Sequence, residues 1–71
     1  MTSVNKIVAI NIRAFRKHHK LTQKELSERV GISRSYLNDL EHARKNMSIL
    51  TLEKIAIKLD VPICTLLSED N

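Results

Sequence analysis

A single glycine, Gly31, stands in this chain, and the residues on either side of it leave little choice of structure. Upstream, Thr22 precedes Gln23-Lys24-Glu25-Leu26-Ser27-Glu28-Arg29-Val30. A hydroxyl residue followed three positions later by a glutamate forms the capping box that opens a helix. Leu26 and Val30, four apart, share one face of that helix. A glycine directly after Val30 suits the left-handed turn that stops a helix, a conformation that costs other residues a steric penalty. Downstream, Ser33 caps a second helix whose apolar side is Leu37 and Leu40. Ile32 plugs the corner between the two helices, and small Ser27 lies where they cross and a large side chain would clash. A generic hairpin of a helical bundle needs only the apolar spacing. The caps, the small crossing residue, the one glycine and the apolar positions together specify a helix-turn-helix.

Seventy-one residues allow one domain, 1–71, near the lower size limit for an independent core. Every helix must therefore contribute apolar surface, and no stretch alternates with period two for long enough to argue a sheet. The pattern predicts five helices. The first runs from about Val4 to His19 with Val8, Ile12 and Phe15 as its core stripe, and Leu21 follows as a connector tucked into the core. The second and third, Gln23–Val30 and Arg34–His42, form the helix-turn-helix, and a polar loop follows from Ala43 to Met47. Ser48 caps a fourth helix, Ile49–Leu59, which buries Leu52, Ile55, Ala56 and Leu59. Pro62 fits the first turn of a short fifth helix reaching Leu67, because proline is tolerated there and nowhere deeper. Ser68 to Asn71 is expected to fray.

Charge is unevenly spread. Up to Lys24 the chain carries Lys6, Arg13, Arg16, Lys17, Lys20 and Lys24 and no acid, whereas six bases and eight acids follow, for a net charge of +4. A basic block of this kind suits an anionic polymer, and a helix-turn-helix sets its second helix into the major groove of double-stranded DNA. Arg34 begins the exposed face of that helix and is the leading base reader, since arginine donates two bonds to guanine O6 and N7; a phosphate contact is its alternative. Ser35, beside it, is short enough to bond a base or a phosphate. Tyr36 either stacks on a thymine methyl or sugar or packs half-buried. Asn38 and Asp39 are base-contact candidates one turn on, with solvated side chains as the plainer reading. Gln23 opens the second helix, where exposed N–H groups favour a phosphate, and its side chain adds a phosphate bond or braces the third helix. Arg44, Lys45 and Asn46 form a basic loop suited to the sugar-phosphate backbone, setting register rather than sequence choice. Lys6, Lys17, Lys54 and Lys58 read as solvated faces.

Arg16, Leu21-Thr22-Gln23, Glu25-Leu26, Gly31-Ile32-Ser33, Leu40-Glu41 and Thr51-Leu52-Glu53-Lys54-Ile55-Ala56 together resemble the Cro/repressor, or XRE-type, helix-turn-helix family, over about Ile7 to Leu67. Arg34-Ser35-Tyr36-Leu37, Glu41, Arg44-Lys45-Asn46, Ser48 and the run Leu52-Glu53-Lys54-Ile55 further resemble the small controller proteins of restriction–modification operons, which dimerise and bind their own promoters. The resemblance implies an all-α, five-helix, lambda-repressor-like DNA-binding domain. It also implies an ion pair between Arg16 and Glu41, which makes Arg16 structural despite its charge. Two residues depart from the family pattern. Lys20 stands where a glycine often closes the first helix, and Asp39 adds a negative charge on the face turned to phosphates.

His18, His19, His42 and Cys64 lack metal-ligand spacing, and neither a nucleophile–base pair nor a phosphate-cradling glycine loop is present. An enzyme, a cofactor and a small-molecule ligand are therefore not expected. The apolar run Ile7–Ile10 is too short for a membrane span, and a lone cysteine fits a reducing cytoplasm. The expected function is transcriptional regulation by a homodimer on a near-palindromic operator, since one monomer presents a single recognition helix. Ile49, Ile63, Leu66 and Leu67 either supply the dimer interface or complete a small core. The reading from another class is a protein-interaction module, such as an antitoxin or adaptor.

Overall fold

The computed structural model describes residues 3–69. Its elements are α1 (Val4–His18), α2 (Gln23–Val30), α3 (Arg34–Glu41), α4 (Ile49–Leu59) and α5 (Ile63–Leu67). Each of the first four starts as its sequence dictates. Ser3, Thr22, Ser33 and Ser48 accept a bond from the main-chain N–H three residues on, and Thr22 and Glu25 close the reciprocal box. Pro62 stands one position outside α5, at its cap, rather than within the first turn.

The ends of α1 to α4 share one geometry. Gly31 adopts φ +81°, as the stop after Val30 requires. Lys20 (φ +55°), Ala43 (φ +56°) and Asp60 (φ +57°) adopt the same left-handed turn with a side chain in place. At the first of these, Lys20 N–H donates to Lys17 O at 3.1 Å and Leu21 N–H to Arg16 O at 2.9 Å. Ala43 with Arg44, and Asp60 with Val61, repeat the pattern. These crossed bonds satisfy carbonyls that the helix ends would otherwise orphan. The substitution of Lys20 for glycine thus keeps the turn and carries its steric cost.

Val8, Ile12, Leu26, Val30, Leu37, Leu40, Leu52, Ile55, Ala56, Leu59 and Leu66 form one core cluster. Phe15, Leu21, Ile32 and Ile63 pack against it while only partly buried. Leu66 is 1% exposed, so its place is the core of its own chain and it is withdrawn from the expected dimer surface. Asn11 is buried as well, which the apolar stripe of α1 did not foretell. Its Nδ2 donates to Leu66 O at 2.8 Å and Ser68 O at 2.9 Å, so a polar side chain fastens α5 onto α1. Ser68 is thereby held rather than frayed; residues 70 and 71 of that expectation lie outside the described residues.

Candidate nucleic-acid interface

The inward side of α3 carries Leu37, Leu40 and Glu41, and its spacing leaves Arg34, Ser35, Asn38, Asp39 and His42 on the other side. Arg34 and Ser35 are exposed, while Asn38 and Asp39 are half-buried. Tyr36 is half-buried too, its ring packed against the core cluster. Ser33 Oγ accepts from Tyr36 N–H at 3.0 Å and fixes where the helix begins, and so where Arg34 is presented. The loop beyond α3 exposes Arg44, Lys45 and Asn46. Arg44 Nη1 lies 3.8 Å from Asp39 Oδ1, so the acid on this face has a base beside it.

Beneath this surface a buried polar network joins three helices. Arg16 of α1 donates from Nε to Glu41 Oε2 at 2.8 Å and from Nη2 to Oε1 at 3.0 Å, a two-bond fork at the end of α3. Its Nη1 also bonds Leu21 O at 3.2 Å, holding the connector. The Glu41 side chain is 2% exposed and that of Arg16 16%, so the pair is desolvated and serves the fold. Gln23, at the start of α2, donates from Nε2 to Asn38 Oδ1 at 3.1 Å and to Glu41 Oε1 at 3.4 Å. Both its amide hydrogens are therefore taken. Of its two expected roles the brace is the one formed; what Gln23 retains for an anion is its main-chain N–H in the first turn of α2.

Two contributors escaped the sequence reading. Asn5 of α1 donates from Nδ2 to Asn46 Oδ1 at 2.6 Å, tying the first helix to the basic loop across 41 positions. His42 Nδ1 sits 2.8 Å from the Asn38 carbonyl oxygen. A carbonyl only accepts, so Nδ1 carries the proton in that bond. The α-helical spacing of 34, 38 and 42 was the available signal for His42; nothing in the sequence links Asn5 to Asn46. His19 lies tilted against Phe15 with ring centroids 4.1 Å apart, and His18 meets His19 edge-on at 5.2 Å. Among the described residues no three His, Cys, Asp or Glu side chains converge on a metal position, and no helix is long and apolar enough to cross a membrane.

The helix-turn-helix family HTH_3 matches residues 12–66. This chain belongs to that family. As an HTH_3 protein it is 43% identical over 63 residues to the immunity repressor protein of Bacillus phage phi105, covering 89% of this chain and 44% of the repressor. It is 31% identical over 65 residues to control protein C.SmaI of Serratia marcescens, covering 92% and 77% of the two chains. Its fold matches SinR, the master regulator for biofilm formation, solved in complex with DNA. There the TM-score is 0.76 at 37% identity, over 86% of this chain and 98% of that one. The chain spans about half the length of the curated relatives first matched, 44% of the phage repressor and 58% of full-length SinR from Bacillus subtilis.

Proposed function

We propose that this protein is a sequence-specific DNA-binding transcriptional regulator, acting as a homodimer on a near-palindromic operator. The observation that supports this reading best is the solvent side of α3. It carries Arg34, Ser35, Asn38 and Asp39 on a helix anchored from behind by the Arg16–Glu41–Gln23 network. Set in a major groove, Arg34 takes the two-bond contact to guanine, Ser35 and Asn38 meet adjoining edges, and Asp39 is the acceptor suited to cytosine N4; Tyr36, packed against the core, takes the other of its two expected places. Arg44, Lys45, Asn46 and the first turn of α2 grip phosphates.

The second subunit meets the outer face of α4 and α5. Ile49 and Leu67 are exposed there, joined by Leu50 at 76% and Ile57 at 69%, while Ile63 is partly withdrawn into the core. Along α4 the face reads Leu50, Glu53, Lys54, Ile57. A two-fold axis between positions 53 and 54 sets Leu50 against Ile57 of a second copy and each Glu53 against a Lys54. One surface patch that complements itself in charge and shape suits an isologous dimer. Restriction–modification control is the narrower proposal, supported by the likeness to C.SmaI. The higher identity to a phage immunity repressor supports a prophage setting, and the flanking genes separate the two.

The test is titration of operator and scrambled duplexes at several salt concentrations, with Arg34→Ala and Lys45→Ala. Losing Arg34 should weaken the operator by about 1–3 kcal/mol more than scrambled DNA. Losing Lys45 should weaken both alike and flatten the salt slope by roughly one unit. A protein with little DNA affinity at physiological salt is an adaptor instead.

A further inference from the structure

We infer that the buried Glu41 carboxylate, acting through Gln23, fixes Asn38 as a hydrogen-bond donor at the DNA surface, so that Asn38 selects guanine and rejects cytosine. The inference rests on the proposed placement of α3 in the major groove. An asparagine amide has two ends of nearly equal shape and opposite chemistry, an oxygen that accepts and an NH2 that donates. Left free on a helix surface it turns over at little cost and suits almost any base edge.

Here it is not free. Glu41, forked to Arg16 and almost wholly buried, is a carboxylate with acceptors only. The Gln23 atom 3.4 Å from its Oε1 must therefore be the NH2 nitrogen. That same nitrogen stands 3.1 Å from Asn38, so the Asn38 atom facing it must be the oxygen. One buried charge thus decides the orientation of two amides in series. It turns Asn38 Oδ1 toward α2 and leaves Nδ2 as the end released for a ligand. The residue lies one helical turn from both Arg34 and Ser35, on the side of α3 they share.

Base edges differ in how they receive such a donor. Guanine shows two acceptors in the major groove, N7 and O6, whereas cytosine shows the N4 amino donor. Donor against donor makes no bond and leaves both groups desolvated without a partner. Adenine, with an acceptor beside a donor, falls between. Gln23 is here a positioning residue, since it acts on the base only through Asn38.

The experiment places each of the four bases in turn at every half-site position of the operator and measures affinity for four proteins. Wild type should show, besides the position read by Arg34, a second position at which cytosine binds at least about tenfold more weakly than guanine. Asn38→Ala should flatten that position to within about twofold, with other positions unchanged. Gln23→Met keeps the side-chain length, removes the clamp and lets Asn38 turn over; the cytosine penalty should fall to about threefold or less, whatever happens to affinity overall. Asn38→Asp keeps the bond from Gln23 but offers acceptors only, and should move the preference from guanine to cytosine. Retention of the full cytosine penalty in Gln23→Met, with the variant folded by thermal melt, overturns the inference. So does an equal loss for all four bases in Asn38→Ala, which makes Asn38 a phosphate contact. A wild type that binds every duplex alike removes the DNA-reading proposal itself, and is told apart because no position then shows any preference.

Discussion

Lys20, Ala43 and Asp60 occupy a backbone region in which Cβ crowds the following carbonyl, at a cost of roughly 1–2 kcal/mol each. Ala43 has no polar side chain to offset that cost. Ala43→Gly should therefore stabilise the fold by about 0.5–1 kcal/mol, after subtracting the extra freedom glycine has when unfolded. At Gly31 the sign reverses. A Cβ there would meet nothing within 4 Å, so Gly31→Ala suffers only the backbone penalty, about 1 kcal/mol. Thermal melts of the two variants should move in opposite directions, by about 4–8 °C per kcal/mol in a domain this small. Arg16→Ala is a different class of loss. It strands a carboxylate that is 2% exposed with only the longer Gln23 bond, and should cost about 3–5 kcal/mol of stability. Any loss of DNA affinity in that variant should vanish at a temperature where it remains folded; an unchanged melting temperature with lost binding would make Arg16 a DNA contact. The residue-level reading of the sequence succeeded where local chemistry decides, as at Thr22, Gly31 and Ser33. It failed at Asn11, because a polar residue beside an apolar stripe looks solvated until the chain end that it bonds is placed.

For whole elements, boundaries were legible wherever a side-chain cap coincided with a change of apolar period. Both bounds of α2 and of α4 follow from the sequence, and α1 and α3 each end one residue early, where His19 and His42 serve as caps. Hidden from it was the bond between Asn5 and Asn46, which meet only after the helices have packed, and the choice of Asn38 as the point where Gln23 braces the third helix. The start of α2 has its own acid response. The main-chain N–H of Thr22 and then its hydroxyl hold the Glu25 carboxyl below the ordinary glutamate range. A depressed carboxyl pKa contributes stability that is present above the unfolded value and lost as pH falls through the folded one. The Thr22 amide resonance should accordingly follow a titration with its midpoint below that of a free glutamate, and Glu25→Gln should abolish the step. A midpoint at or above the ordinary range would mean that the box is open in solution.

For the whole molecule the question is the proposed second copy. Only part of the proposed contact was legible, because Ile49 and Leu67 carry the expected exposure, whereas Leu50 and Ile57 were masked by a helix apolar on more than one side. If the axis passes between Glu53 and Lys54, then Glu53→Lys and Lys54→Glu should each loosen the dimer. The double exchange should restore it. Sedimentation of the four proteins across a micromolar range checks this; the single changes are each expected to shift dissociation several-fold, as like charges face each other across the axis. A wild type that dimerises regardless of these charges moves the interface elsewhere, and one that stays monomeric with operator present ends the dimer reading. The division of labour within α3 has a further consequence, for how such a protein changes its target over generations. Leu37, Leu40 and Glu41 hold the helix, while Arg34 and Ser35 stand wholly outside the core. A library randomised at 34 and 35 should therefore fold almost throughout and differ only in which DNA it prefers, whereas one randomised at 37, 40 and 41 should yield few folded members. New specificities at the outer positions are reachable by single neutral steps. If Asn38 reads a base as proposed, that letter changes only together with its clamp, Gln23 and Glu41.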